Sequence, residues 1–103
     1  RDRPAYRFAC EDSIYIADQA RGKGLGSALL AALLTAAEAS GFLQMIAVIG
    51  GAEPASAALH ARAGFRESGR MRSVGRKHGR WLDTLYMQRE LGAGDAVAPK
   101  VEP

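Results

Sequence analysis

A glycine-rich segment early in the chain carries the residue types best suited to binding phosphate. Glycine occupies alternate positions, at Gly22, Gly24 and Gly26, where the missing Cβ allows positive φ and leaves the backbone accessible to a ligand. An apolar stretch typical of a helix follows, and the free N–H groups and positive dipole end of that helix would point back at the glycines. Arg21 and Lys23 add positive charge. The pattern predicts a site for a phosphorylated cofactor.

Three phosphate-binding patterns compete with a tight strand-to-helix turn that holds no ligand. A P-loop needs Lys and then Ser or Thr after its last glycine, and these are absent. A dinucleotide fingerprint begun at Gly22 needs glycine where Ser27 stands, and an acidic residue about twenty positions later, where the chain has only Phe, Leu, Gln and Met. The third pattern, Arg/Gln-x-x-Gly-x-Gly/Ala, is met by Arg21, Gly24 and Gly26.

Size and composition indicate one globular domain. The 103 residues are 48% hydrophobic and 24% charged, and no apolar run approaches the ~20 residues that cross a bilayer, so no membrane partner is expected. The lone Cys10 excludes an internal disulfide and favours a reducing, cytoplasmic location, with the cysteine as a small buried strand residue. Two histidines without a cysteine cluster predict no metal site.

The chain is basic, with a net charge of +3, and its basic residues gather late. Nucleic acid, a polyanionic small molecule and a solvated surface are all compatible with that charge. Because aromatic residues do not interleave with the basic cluster, we expect no nucleic-acid partner.

Hydrophobic periodicity predicts the element order β-α-β-α-β-β. The expected strands cover residues 8–16, 43–49, 65–71 and 81–91, the helices cover 25–40 and 54–63, and a basic turn covers 74–79. The first helix would bury a broad apolar stripe, and Gly41 would end the helix. The stripe consists of Leu25, Leu29, Leu33 and Ala36, with Leu30 and Leu34 beside them. A strand-helix-strand start implies a parallel pair with a right-handed crossover, and the last two strands should be antiparallel. We therefore expect an α/β (α+β) fold with a mixed sheet flanked by helices over residues 1–91, and a disordered tail over 92–103.

With this order in place, residues 1–91 resemble the C-terminal part of the GNAT superfamily of N-acetyltransferases, in its phosphinothricin and L-amino-acid N-acyltransferase branch. The resemblance rests on the glycine-rich loop and on four further motifs: Arg3-Pro4-Ala5-Tyr6, Glu11-x-Ser13-Ile14-Tyr15-Ile16, Leu59-His60-x-x-x-Gly64-Phe65 and Gly75-x-Lys77-x-Gly79-x-Trp81-x-Asp83. The last motif is the most specific to this branch. The first half of the family's domain has no counterpart in these residues, and an exposed sheet edge could pair with a second copy, so a homodimer is expected.

The resemblance implies acetyl-CoA as cofactor and assigns its contacts. The pyrophosphate would bind Arg21 and the backbone N–H groups of Gly22, Lys23, Gly24, Leu25, Gly26 and Ser27. The pantetheine arm would pair like an added strand with Ile14, Tyr15 and Ile16, and one N–H of that strand would polarise the thioester carbonyl. Where the family has a pantetheine-binding Asn, this chain has Glu53, so either cofactor affinity would be weaker or Ser56 would substitute for the Asn.

The resemblance also assigns two catalytic residues. Glu11 occupies the position of the general base that deprotonates the amine, whereas Asp12 would face the other side of the strand. His60 stands where the wider superfamily has a tyrosine, and would donate a proton to the leaving thiolate. A histidine hydrogen-bonded in the core is the alternative for His60.

The leading hypothesis is direct acetyl transfer from acetyl-CoA, in a ternary complex, to the α-amine of a small amino-acid-like substrate such as phosphinothricin or methionine sulfoximine. A non-catalytic CoA-binding or oligomerising module is the alternative, because part of the amine pocket would lie in the first half of the domain. A basic nucleic-acid-binding fragment ranks third.

Overall fold

The computed structural model describes residues 8–12 and 24–99, which form a four-stranded sheet and two helices. The elements are β1 (Ala9–Asp12), α1 (Leu25–Ala39), β2 (Gln44–Gly50), α2 (Pro54–Arg62), β3 (Arg66–Lys77) and β4 (Arg80–Glu90). The sheet order is β1-β2-β4-β3, with β1 parallel to β2 and β4 antiparallel to both of its neighbours. The predicted order and the mixed sheet are confirmed.

One face of the sheet builds the core. Met45, Ala47 and Ile49 of β2 are buried, and in β4 the buried Leu85 and Met87 lie opposite Ile49 and Ala47. Apolar residues of both helices pack on this cluster. The intervening residues of β2 are only half-buried. The continuous apolar run of β2 predicts a strand buried on both faces, but burial alternates along it instead.

Helix α1 begins after Gly24, whose φ of +76° is left-handed, and it ends at Ser40. Gly41 follows with φ +86°, and the N–H groups of Gly41 and Phe42 donate to the carbonyls of Glu38 and Ala37. This pairing is the Schellman arrangement and confirms the predicted stop.

The predicted apolar stripe of α1 is displaced at its N-terminal end. Leu30 and Ala37 are buried, while Leu25 and Leu29 are 54% and 46% exposed. Both leucines were expected on the core side. Leu33 is partly buried against the core as expected.

The β3–β4 hairpin is longer than predicted. Strand β3 continues past Met71 to Lys77, and only His78 and Gly79 form the turn, both with positive φ, as in a two-residue type I′ hairpin. The pairing register shifts between Met71 and Gly75. The predicted end at Met71 is therefore wrong, because the glycine and polar residues that suggested a turn form a bulge.

Beyond β4 the chain turns back on itself. Leu91 is fully buried and its N–H donates to the carbonyl of Leu43. Residues 92–99, which the sequence assigns to a disordered tail, form turns in which Gly94 N–H donates to Leu91 and Ala96 N–H to Ala93. The domain boundary at residue 91 stays a prediction. Within the described part of the chain, no helix is long and apolar enough to cross a bilayer.

Candidate active site

Strand β1 places two adjacent carboxylates on opposite sides of the sheet. Glu11 is exposed, whereas Asp12 is 6% exposed, as the two-residue repeat of a strand requires. The pairing of β1 with β2 sets Glu11 beside Ile46 and Asp12 beside Ala47. Asp12 therefore faces the core side, and Glu11 faces the side that leaves it accessible to a substrate.

Asp12 forms a buried pair with His60 of α2. His60 Nε2 lies 3.0 Å from Asp12 Oδ1, and the two side chains are 1% and 2% exposed. His60 Nδ1 lies 2.8 Å from the carbonyl oxygen of Ser56. Both ring nitrogens of His60 are therefore engaged inside the protein. The second oxygen of Asp12, Oδ2, is buried and has no hydrogen-bond partner among the described residues.

The surroundings of His60 raise its pKa above the ordinary histidine value. Burial alone lowers this pKa, but the hydrogen bonds to Asp12 and to the Ser56 carbonyl, together with the charge of Asp12, outweigh it. The ring also meets Phe65 edge-on, with centroids 4.9 Å apart. The site therefore favours the protonated imidazolium.

The N-terminus of α1 is open to an anion. Its first N–H groups have no acceptor within the helix, and Gly24 at the N-cap has no side chain that could bond to them. Among the described residues nothing lies within 4 Å of a Cβ built on Gly24, and Leu25 and Ser27 are exposed while Gly26 is half-buried. The described part of the predicted phosphate loop is therefore compatible with the pyrophosphate of acetyl-CoA.

The residues near the start of α2 have local roles in the fold. Glu53 is the N-cap, and its Oε2 accepts a hydrogen bond of 2.7 Å from the Ala55 N–H. Ser56 is half-buried and offers its backbone carbonyl to His60. Glu53 thus holds the helix start at the place where the family's asparagine is expected to meet pantetheine.

The described residues hold eight of the fourteen predicted site residues. Ser56 and His60 lie together with Asp12, and the four loop residues Gly24, Leu25, Gly26 and Ser27 lie at the start of α1. Glu11 points away from His60, because Asp12 occupies the His60 side of β1. The predicted contacts outside the described residues are Ile14, Tyr15, Ile16, Arg21, Gly22 and Lys23. Within residues 8–12 and 24–99, no group of three potential ligands could hold a metal ion.

Sequence reasoning missed the partner of His60. Alternation along β1 already places Asp12 opposite to Glu11, and a buried aspartate needs a charged or hydrogen-bonding partner, which was the available signal. It also missed Arg89, whose Nε donates to the Ala63 carbonyl at 2.7 Å and satisfies the C-terminal end of α2. Arg89 also lies 3.8 Å from Glu38 of α1.

Comparison with known proteins agrees with this architecture. Residues 1–65 match the model of the acetyltransferase (GNAT) family. The chain belongs to the GNAT acetyltransferase family. It is 48% identical over 101 residues to phosphinothricin N-acetyltransferase of Alcaligenes faecalis, covering 97% of this chain and 51% of that protein. It is 49% identical over 86 residues to the L-methionine sulfoximine/L-methionine sulfone acetyltransferase of Pseudomonas aeruginosa, covering 84% of this chain and 50% of that protein.

A solved structure shares the fold of this GNAT chain closely. The phosphinothricin acetyltransferase from Sinorhizobium meliloti, crystallised with AcCoA, superposes with a TM-score of 0.90 at 59% sequence identity. The match covers 97% of this chain and 54% of that one. The chain thus spans about half the length of the relatives it matches, and the predicted fold and family are confirmed.

Proposed function

We propose that this chain carries the cofactor-binding part of an enzyme that transfers acetyl from acetyl-CoA to the α-amine of a small amino-acid-like substrate. The observation that carries the proposal is the N-terminus of α1, which follows Gly24 in the left-handed conformation, a residue without a side chain to cap the first N–H groups. Membership of the GNAT family makes the CoA pyrophosphate the anion expected at this position.

Cofactor binding would use residues at the start of α1 together with residues of the segments 14–16 and 21–23. The N–H groups of Leu25, Gly26 and Ser27 begin α1 and are available to phosphate oxygens. Arg21, Gly22 and Lys23 would complete the phosphate loop. Ile14, Tyr15 and Ile16 would bind the pantetheine arm through their backbone groups. Acetyl-CoA, when bound, supplies an acetyl group activated as a thioester.

Glu11 is the proposed general base. An α-amine or a lysine-like amine costs about 1.4–4.6 kcal/mol to deprotonate at neutral pH, and a carboxylate near the nucleophile lowers that cost. Glu11 is exposed on the face of β1 away from the helix-packed core, so a substrate could reach it. The amine nitrogen then bonds to the acyl carbon as the carbon–sulfur bond breaks, and Glu11 holds the amine proton.

The structure favours the alternative interpretation of His60. A donor to the leaving thiolate needs an accessible N–H, but His60 is 1% exposed and both ring nitrogens are bonded to Asp12 and Ser56. We therefore leave His60 out of the transfer step. A thiolate is a fair leaving group without a protein acid, so the reaction does not require this residue.

The activities of the related enzymes indicate the substrate class. The matched enzymes are phosphinothricin and methionine sulfoximine or sulfone acetyltransferases, and all these substrates are α-amino acids with a tetrahedral polar side-chain group. We propose a substrate of this class for the complete protein, in a cytoplasmic homodimer without nucleic acid. A CoA-binding module without turnover is the second candidate, since the chain covers only about half of these relatives.

Glu11→Gln in the complete protein tests the proposal. Turnover with phosphinothricin or methionine sulfoximine should fall roughly 100- to 10,000-fold, while CoA affinity measured by calorimetry should stay within about twofold. Glu67→Gln, at an exposed position of β3, is the matched control and should leave both values unchanged. CoA binding without acetyl transfer by the unmutated protein would favour the second candidate, and absence of binding at millimolar CoA would refute both.

A further inference from the structure

We propose that Asp12 is a positioning residue whose carboxylate pairs with a doubly protonated His60 and fixes the end of β1, and with it Glu11, against α2. The pair joins two residues that are 48 positions apart in the chain. It deepens the proposed function by assigning the group that holds the base-bearing strand in place.

The hydrogen-bond partners of His60 determine its proton count. The Ser56 carbonyl can only accept a hydrogen bond, so Nδ1 carries a proton. The proton between Nε2 and Asp12 Oδ1 then belongs either to the imidazole or to the carboxyl. Burial lowers the pKa of His60, but the hydrogen bonds to Asp12 and to the Ser56 carbonyl, with the charge of Asp12, raise it above the ordinary value. For that reason, and because of the 3.0 Å contact, we assign the shared proton to Nε2.

The position of the pair between Asp12 and His60 allows it to affect the geometry of the active site. Among the described residues, strand β1 pairs with β2. Asp12 is adjacent to Glu11 and precedes the residues predicted to bind pantetheine. A bond from Asp12 into α2 restrains the rotation of β1 about its own axis. Because adjacent side chains point to opposite faces, the same restraint orients Glu11.

The other described groups near Asp12 do not offer it a competing cation. The nearby thiol of Cys10 has its pKa raised, first by burial and then by the charge of Asp12. Cys10 Sγ donates to the Gln44 carbonyl instead, at 3.6 Å. Within the described residues, His60 is therefore the group that balances the Asp12 charge.

Nitrogen NMR of the His60 ring in the unmutated complete protein tests the proton count directly. At pH 6.5, the ordinary histidine pKa, both ring nitrogens should show mainly the chemical shifts of protonated imidazolium, because the pKa of His60 is raised. A neutral His60 tautomer at this pH would overturn the pairing. This measurement needs neither a variant nor catalytic activity, so it tests the pairing of His60 with Asp12 independently of the proposed acetyl transfer.

Kinetics of Asp12→Asn test the positioning role. The variant keeps the size and an acceptor oxygen but removes the charge, so we expect kcat to fall at least tenfold while CoA affinity changes less than threefold. Asp83→Asn, the same substitution in the hairpin, is the matched control. In the double variant with His60→Gln, the second substitution should add little further loss of kcat. Additive losses, or an unchanged kcat in folded Asp12→Asn, would refute the role.

Discussion

Two aspartates form ion pairs of similar length in very different surroundings. We call the pair of Asp12 with His60 the buried clamp and the pair of Asp83 with Arg70 the exposed clamp. Asp12 Oδ1 lies 3.0 Å from His60 Nε2 in side chains that are 1–2% exposed. Asp83 Oδ2 accepts from Arg70 Nε at 2.9 Å, and these side chains are 21% and 41% exposed. Removing one partner of a buried pair leaves an unpaired charge in the protein interior. In an exposed pair, water and salt screen the attraction between the two charges. Distance alone therefore does not rank the two clamps.

The two clamps also hold different kinds of structure. Asp12 joins β1 to α2, a helix distant in sequence. Asp83 stabilises a local feature, because its Oδ1 also accepts from the Ser73 N–H at 2.9 Å, where Ser73 has φ +55° in the bulge of β3. We expect the first clamp to affect the stability and active-site geometry of the whole fold, and the second to affect only the shape of the hairpin.

The largest expected effect is the loss of stability in His60→Ala. The substitution leaves Asp12 buried without its cation and opens a cavity beside Phe65, so the free energy of unfolding should fall by about 3–5 kcal/mol. Urea denaturation of the complete protein measures this change. Arg62→Ala, at an exposed position of the same helix, is the control. If His60→Ala lowered the free energy of unfolding by less than about 1 kcal/mol, burial would not make the first clamp more stabilising than the second.

The pH dependence of stability should have opposite signs at the two sites. The pKa of His60 is raised in the folded protein, so its stabilisation is complete below the ordinary histidine pKa and is lost as pH rises through the raised value. One such group gives a slope of at most about 1.4 kcal/mol per pH unit. Unfolding curves from pH 6 to 9 should show the decline, and Asp12→Asn should shift it to lower pH. A flat profile in the unmutated protein would contradict the pairing.

The exposed clamp should instead lose its stabilising effect as the pH falls. The backbone N–H of Ser73, and then the Arg70 guanidinium, hold the pKa of Asp83 below its ordinary value. Its contribution is present above the ordinary aspartate pKa and is lost as pH falls through the lowered one. The protection factor of the Ser73 amide, which is its exchange relative to the intrinsic rate at the same pH, should fall in acid and in Asp83→Asn, with little change in the melting temperature. Equal exchange in Asp83→Asn and the unmutated protein would show that Asp83 does not hold the bulge.

The smallest expected effect is a difference in how salt changes the coupling energies of the two clamps. Exposed charges are screened within about 10 Å at 0.1 M salt and within about 3 Å at 1 M, so the coupling between Arg70 and Asp83 in a double-mutant cycle should weaken in 1 M salt. The coupling between Asp12 and His60 should persist. Equal sensitivity of both couplings would indicate that water reaches the buried pair.

The sequence predicts the fold better than it predicts the contacts between its elements. Gly41 identifies the end of α1 because a left-handed glycine is a local requirement, and the alternation of β1 separates Glu11 from Asp12. The bulge near Ser73 was misread as a strand end, since glycine and polar residues signal both features. The bond between Asp12 and His60 depends on how β1 packs against α2, and no local pattern specifies which partner a buried aspartate finds. The exposure of Leu25 and Leu29 is likewise set by packing and not by helical periodicity.

The account depends most on the start of α1 as the place where CoA binds. Titration of the isotope-labelled complete protein with CoA tests this by amide chemical shifts. The account predicts that Gly24, Leu25 and Gly26 shift most and that the basic hairpin tip at Arg76–Arg80 shifts little. Saturable shifts confined to the hairpin tip, with the start of α1 unchanged, would contradict it.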